Sequence, residues 1–292
     1  MKKEKVEKPV KITKALIASV LRSKRWMLRR SKDGVSHGGF EWSPIGCWTT
    51  APDWKPTNEC GNGLHGNGPN TSPGECYWNT NKGTRLEFCE IGSERVSING
   101  RNGKMKVKRA RVLLVNELPE GFKKIAGSLY LQGCTGITSL GNLESVAGSL
   151  YLQGCTGITS LSNLESVAGS LDLHGTGIKS LGNLKSAGYL DLRGTGITSL
   201  GNLKSACCLD LQGCTGITSL GNLESVSGYL DLSGTGITSL GNLESVAGYL
   251  DLHGTGIKSL GNLESVAGYL DLRGTGITEL PKSLKVKEKI YR

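Results

Sequence analysis

From Gly127 the chain repeats one short motif eight times, and this constrains the fold more than any other feature of its 292 residues. Units begin at Gly127, Gly148, Gly169, Gly188, Cys207, Gly228, Gly248 and Gly268, at spacings of 21, 21, 19, 19, 21, 20 and 20 residues. The unit reads G-[SY]-L-[YD]-L-x-G-(C)-T-G-I-x-S-L-x-N-L-[EK]-S-(V)-A. Units of 21 residues carry an extra Cys before Thr: Cys134, Cys155 and Cys214. Units of 19 residues lack that Cys and the Val, reading Leu184-Lys185-Ser186-Ala187 and Leu203-Lys204-Ser205-Ala206. So short a unit encloses no core alone; stacking one unit per turn buries a continuous core between neighbours. Leu-x-Leu has the period-2 alternation of a strand with one buried face. Gly-(Cys)-Thr-Gly turns the chain, since Gly permits positive φ. Ile137, Leu140 and Leu143 of the first unit then point inward from the other wall. The 43 Gly therefore mark periodic geometry, not flexibility.

The pattern V-x-x-x-L-x-L-x-x-T-x-I-x-x-L-x-x-L resembles a short leucine-rich repeat over residues 111–286. The resemblance implies a mainly-β solenoid that works by recognition. Thr stands where that family carries an Asn serving buried backbone groups, and a hydroxyl makes fewer such bonds. Leu118-Pro119-Glu120-Gly121-Phe122 and Leu280-Pro281-Lys282-Ser283-Leu284 read as caps. Lys285, Lys287 and Lys289 put charge on the final strand, which discourages sheet-edge growth.

Strand alternation places three ladders on the exposed sheet face. The first is Ser128, Ser149, Ser170, Tyr189, Cys208, Tyr229, Tyr249, Tyr269. The second is Tyr130 and Tyr151, then Asp172, Asp191, Asp210, Asp231, Asp251, Asp271. The third is Gln132, Gln153, His174, Arg193, Gln212, Ser233, His253, Arg273. Strands about 4.8 Å apart turn the six Asp into one acidic stripe, whose like charges oppose one another and are partly offset by the Arg and His. An aromatic row beside an acidic row suits a basic or extended partner. The competing reading is a solvated face produced by duplication, since the first two units differ only at Gly141 and Ser162. The turn Cys read as buried small hydrophobes. Of Cys207-Cys208, one should face in and one out.

The rest of the chain differs in kind. Residues 1–126 hold 24 Lys/Arg and 12 Asp/Glu, residues 127–280 hold 6 and 12, and residues 281–292 hold 5 and 1. The net +10 is thus a basic N-terminal part and basic tail around an acidic stack. All five Trp lie in the first part. We expect a basic segment with a short helix at 1–32, a small Trp- and Cys-containing α+β domain at 33–115, the solenoid at 116–286 and a basic tail at 287–292. The helix spans Thr13–Ser23, with residues 1–14 frayed. Strands are expected at Leu86–Ile91, Arg95–Ile98 and Lys104–Val115, with a hairpin turn at Asn102-Gly103. The stretch containing Cys60-Gly61-Asn62-Gly63-Leu64-His65 is similar to uncharacterised phage and bacterial domains with a C-x-x-G-L-H core. That similarity, over about residues 33–115, implies such an origin and little chemistry.

Arg25, Arg29, Arg30, Lys104, Lys106, Lys108 and Arg109, near Trp26, fit phosphate contacts with stacking; this nucleic-acid reading is the alternative to protein recognition. Cys47, Cys60, His65, Cys76 and Cys89 supply enough zinc ligands, but not at paired C-x-x-C spacing. Cys60 and His65 could be nucleophile and base, but no third orienting group accompanies them. P-loop, dinucleotide, H-E-x-x-H and G-x-S-x-G motifs are absent, and we expect no cofactor. No apolar run approaches the roughly 20 residues of a membrane span. The short run Ala15–Leu21 precedes Arg22-Ser23-Lys24-Arg25 instead of a cleavage site. With nine Cys, this points to reduced thiols in a bacterial cytoplasm, with virion association left open. The expected protein is a non-enzymatic interaction module, with self-association between basic cap and acidic stack as a further outcome.

Overall fold

The computed structural model describes residues 8–35, 40–59, 62–68, 84–98, 104–161 and 163–292. The expected Asn102-Gly103 turn, Cys60 and Cys76 lie outside them.

The single described helix, α1 (Lys14–Ser23), starts where Thr13 Oγ1 accepts the Leu16 N–H at 3.1 Å, a standard side-chain cap. It ends at Lys24, held left-handed at φ 52°. Its apolar side buries Ile17 and Val20. The preceding segment is not frayed from Val10 onward, because Val10 N–H donates to the Gly46 carbonyl at 3.2 Å.

Seven strands follow: β1 (Trp26–Lys32), β2 (Thr49–Thr50), β3 (Leu64–Asn67), β4 (Thr84–Ile91), β5 (Arg95–Ser97), β6 (Lys104–Val107) and β7 (Arg109–Val115). They form an antiparallel sheet in the order β2-β7-β4-β1-β3-β6-β5. The expected single strand Lys104–Val115 is broken at Lys108, whose N–H donates outward to the Glu94 carbonyl at 3.1 Å. This lets β6 pair with β3 and β5 while β7 pairs with β2 and β4. Residues 26–32 belong to the sheet and not to a separate N-terminal segment. β1 pairs with β4 along its full length, from Trp26↔Glu90 to Lys32↔Thr84.

The sheet buries both faces. Met27, Ala51, Leu64, Cys89, Ile91, Met105, Val107, Ala110 and Val112 form one core. On the other face Trp26, Leu28, Leu86, Phe88 and Leu113 join α1 and run without a break into the solenoid core through Phe122, Ile125 and Leu129. Three aromatic rings make the joint. Phe88 lies 5.9 Å from Trp26 and 6.0 Å from Phe122, and Trp26 lies 4.9 Å from Phe122. At the chain crossing, Asn116 sits at φ 58°. It donates its N–H to Leu86 O at 2.8 Å, and its side-chain oxygen accepts the Leu86 N–H at 3.1 Å. The N-terminal sheet thereby seals one end of the stack.

The repeats form a parallel β-solenoid of about eight turns across residues 124–291. Most units give two short strands, a Ser-Val pair and a Leu-Tyr or Leu-Asp pair, each in register with its neighbours. Backbone bonds run from turn to turn, as in Leu150 N to Ser170 O at 2.7 Å. Leu150, Leu152, Ile158 and Leu164 of one unit are wholly buried, each worth about 1.5–3 kcal/mol of transfer free energy. The 19-residue units differ. Ser186–Asp191 and Ser205–Asp210 are continuous six-residue strands. Val167 pairs with Ala187, and Leu171 with Leu190. The longer unit therefore has one extra residue between the same rungs, and as in a β-bulge this residue interrupts the strand.

Two glycine positions serve the geometry of the unit in different ways. Gly154 turns the corner at φ 71°, a region open to Gly. Gly248 allows a close approach, since a Cβ there would lie 2.7 Å from the Gly228 carbonyl group, whereas the continuous strand Ser205–Asp210 carries Cys207 at the same position of its unit.

The corner also explains the optional Cys. In units without it, Thr turns inward and its hydroxyl donates to a carbonyl three residues back, as Thr235 does to Leu232 O at 2.6 Å. In the longer units Cys takes that place, and Cys155 Sγ donates to Leu131 O at 2.9 Å while Thr156 is exposed. Thr and Cys are thus alternative fillers of one internal site. Burial pushes the Cys155 thiol up to about 12.

Candidate recognition face

The Leu pair of each strand is buried, and strand alternation turns the residues flanking it away from the core. The expected exposed acidic stripe is only partly so: Asp172, Asp231 and Asp251 are half-buried, and Asp191, Asp210 and Asp271 are buried. Tyr229, Tyr249 and Tyr269 repeat at one position, and in-register pairing stacks their rings 4.8 Å apart with interplanar angles of 5° and 1°. The row then falters. Tyr189 pairs with Cys208 in register, and its ring lies 6.2 Å from Tyr229 at 53°. Tyr130 and Tyr151 stack at 4.8 Å one ladder over, where later units carry Asp.

The six Asp do something the sequence reading missed. Each accepts the backbone N–H two residues on: Asp172 from His174 (3.0 Å), Asp191 from Arg193 (3.0 Å), Asp210 from Gln212 (3.1 Å), Asp231 from Ser233 (2.9 Å), Asp251 from His253 (2.8 Å) and Asp271 from Arg273 (3.0 Å). This is an Asx-type turn, repeated at every corner from the third unit on. The signal was available, because Asp always stands three residues before the corner Gly.

Their electrostatics fall into two groups. Asp172, Asp210 and Asp251 titrate above the ordinary carboxylate range, first through burial and then through the neighbouring Asp. Burial also raises Asp191, but Arg193 outweighs it and holds the carboxyl below that range. Arg193 Nη2 lies 2.5 Å from Asp191, and its Nε lies 3.3 Å from Asp210 on the next rung. Asp271 is lowered by its hydrogen bonds to Arg273, 2.5 Å away. Arg193 and Arg273 thus act as internal counter-ions. His174 is half-buried and His253 exposed.

A second charged ladder follows the Asn-Leu step and pairs Lys123 with Glu144 (2.9 Å), Lys185 with Glu165 (2.8 Å) and Lys204 with Glu224 (3.3 Å). These exposed pairs contribute little.

The proposed phosphate residues do not assemble into one solvent-facing patch. Arg29, Lys104 and Lys106 are buried. Arg29 pairs with buried Glu87 at 3.0 Å and lies 3.7 Å over the Trp42 ring. Lys106 Nζ donates to Thr57 Oγ1 at 3.1 Å. Arg30 donates across the joint to the Gln132 carbonyl. Arg25, Lys108 and Arg109 line a shallow recess with Trp48, Glu90 and Glu94, where Lys108 pairs with Glu94 at 3.0 Å. Trp26 is buried in the joint.

Among the described residues, no three His, Cys, Asp or Glu come together as a metal site. Cys47 and Cys89 are buried, and burial in the outer core pushes the Cys89 thiol far up. His65 lies on β3 opposite Lys106. Cys60 and Cys76 fall outside the described residues, so the Cys60/His65 pair has no described geometry. No described helix is long and apolar enough to cross a membrane.

No family model matches the chain, and comparison with curated proteins and with solved structures gives no match.

Proposed function

We propose that the protein is a non-enzymatic recognition module, a short-repeat solenoid of leucine-rich-repeat type, whose sheet face takes a basic, extended polypeptide segment. The observation that carries this reading is the stacked trio Tyr229, Tyr249 and Tyr269 beside the Asp row. Large amphipathic rings already fixed by stacking lose little freedom on binding. The Asp231 and Asp251 carboxylates supply the complementary charge, since no described ion pair joins either to a cation. The setting we propose is a bacterial host cell, with a host or phage protein as partner.

Calorimetric titration of the full chain with extended Lys/Arg-rich peptides, against acidic peptides of equal length, tests the reading. Ser fills the Tyr position in the first three units, so Tyr249→Ser keeps the fold. It should weaken basic-peptide binding by about 2 kcal/mol if Tyr249 is an anchor. Equal binding of basic and acidic peptides, or an unchanged affinity for Tyr249→Ser, would overturn the proposal.

A further inference from the structure

Strict strand alternation sends neighbouring side chains to opposite faces, and on that rule Cys207 and Cys208 belong on opposite sides of the sheet. The structure corrects this. Within Ser205–Asp210, Ala206 and Leu209 both point into the core, at 3% and 0% exposure. The two residues between them must therefore both turn outward. Cys207 is exposed, Cys208 is half-exposed, and their sulfurs lie 3.9 Å apart. Other units place Gly-Ser or Gly-Tyr here, so this pair of donors occurs once, at the gap in the tyrosine ladder. The remaining described cysteines, Cys47, Cys89, Cys134, Cys155 and Cys214, are all buried.

We propose that Cys207 and Cys208 form a solvent-facing dithiol site that captures a soft, thiophilic centre satisfied by two thiolates, of the trivalent organoarsenical class. Thiolates are soft ligands and select soft centres. Sulfurs 3.9 Å apart already bracket an atom bonded to both at about 2.3 Å, the length typical of metal–thiolate bonds. Among the described residues no third ligand completes the group, which favours a two-thiolate centre over tetrahedral zinc. With an organoarsenic(III) oxide the step balances without an oxidant. Two As–S bonds form, the arsenic–oxygen bonding breaks, and both thiol protons leave with that oxygen as one water. The thiolate is the attacking form. Part-burial pushes the Cys208 thiol up, so capture accelerates as pH rises. The site stands independently of what the rest of the face binds. Its occupation would place an organic group between Tyr189 and Tyr229.

Intact-mass measurement of the folded full chain with phenylarsine oxide, in excess glutathione, tests this. One adduct should survive the monothiol and be released by 2,3-dimercaptopropanol. Cys207→Ser and Cys208→Ser should each abolish it, with unchanged circular dichroism. An adduct that persists in either variant, or that maps to Cys60 or Cys76, would overturn the proposal.

Discussion

The N-terminal sheet and the solenoid bury apolar residues by opposite strategies. In the sheet each contact occurs once. Arg29 meets Glu87 and Trp42, Ser31 Oγ donates to Glu87 at 2.7 Å, and Trp26, Phe88 and Phe122 meet at the joint. In the solenoid one set of core contacts recurs at every turn, so each rung buries much the same Leu and Ile side chains as the next. The first strategy gives cooperativity across long sequence separations. The second gives stability that accumulates from neighbour to neighbour.

The joint should show the largest effect. Phe88→Ala is expected to cost about 3–5 kcal/mol in denaturant unfolding. Amide exchange should rise both in β4 and around Leu129–Leu131. If only one half responds, the two regions are not coupled as described. Mid-stack, Leu230→Ala should cost about 2–5 kcal/mol, with exchange rising in the adjoining turns and not in the N-terminal sheet. A response as strong in β1 as in the neighbouring turn would contradict the nearest-neighbour picture.

Smaller changes separate the Asp roles. Asp231→Ala removes the corner acceptor and should cost about 1 kcal/mol. Asp231→Asn keeps an acceptor oxygen, lessens like-charge repulsion and should be nearly neutral. Equal losses in both would mean that charge, not the turn bond, matters there.

The weakest expected effect is on pH dependence. Lowered carboxyls such as Asp271 contribute stability that is present above the ordinary range and lost as pH falls through their folded titration. Raised carboxyls such as Asp251 act oppositely, so stability declines as pH rises from the ordinary range through theirs. Arg273→Met removes the largest cause of the Asp271 lowering. Acid titrations of the denaturation midpoint should then show less stability lost on acidification than in the parent. An unchanged acid limb would show that Asp271 does not depend on Arg273.

The difference between the regions also decides what could be read in advance. Eight copies average out local ambiguity, so the inward rows such as Leu150 and Leu152 and the Tyr row followed from periodicity, whereas the burial of Asp191, Asp210 and Asp271 did not. The N-terminal part offers each pattern once. Arg29 and Arg30 read as phosphate contacts because their partners, Glu87 and Gln132, lie far along the chain. That masked β1 as a central strand. Cys207-Cys208 defeated the alternation rule because a unit holding two strand segments in one wall has two adjacent outward positions. The turn role of the Asp row was local and legible, but the charge of the row drew attention from it.

The position of the extra residues has a consequence for how such a protein changes over generations. Cys is added at one corner and Val or Ala is dropped near another, yet Val167 still meets Ala187 and Leu171 still meets Leu190. Length variation is absorbed at a corner and between the two strand segments, and it leaves the register of the ladders intact. Unequal recombination between near-identical units can therefore lengthen or shorten the protein without a structural frameshift. Copy number sets its reach, at about 4.8 Å per turn, and the chemistry of each rung evolves separately.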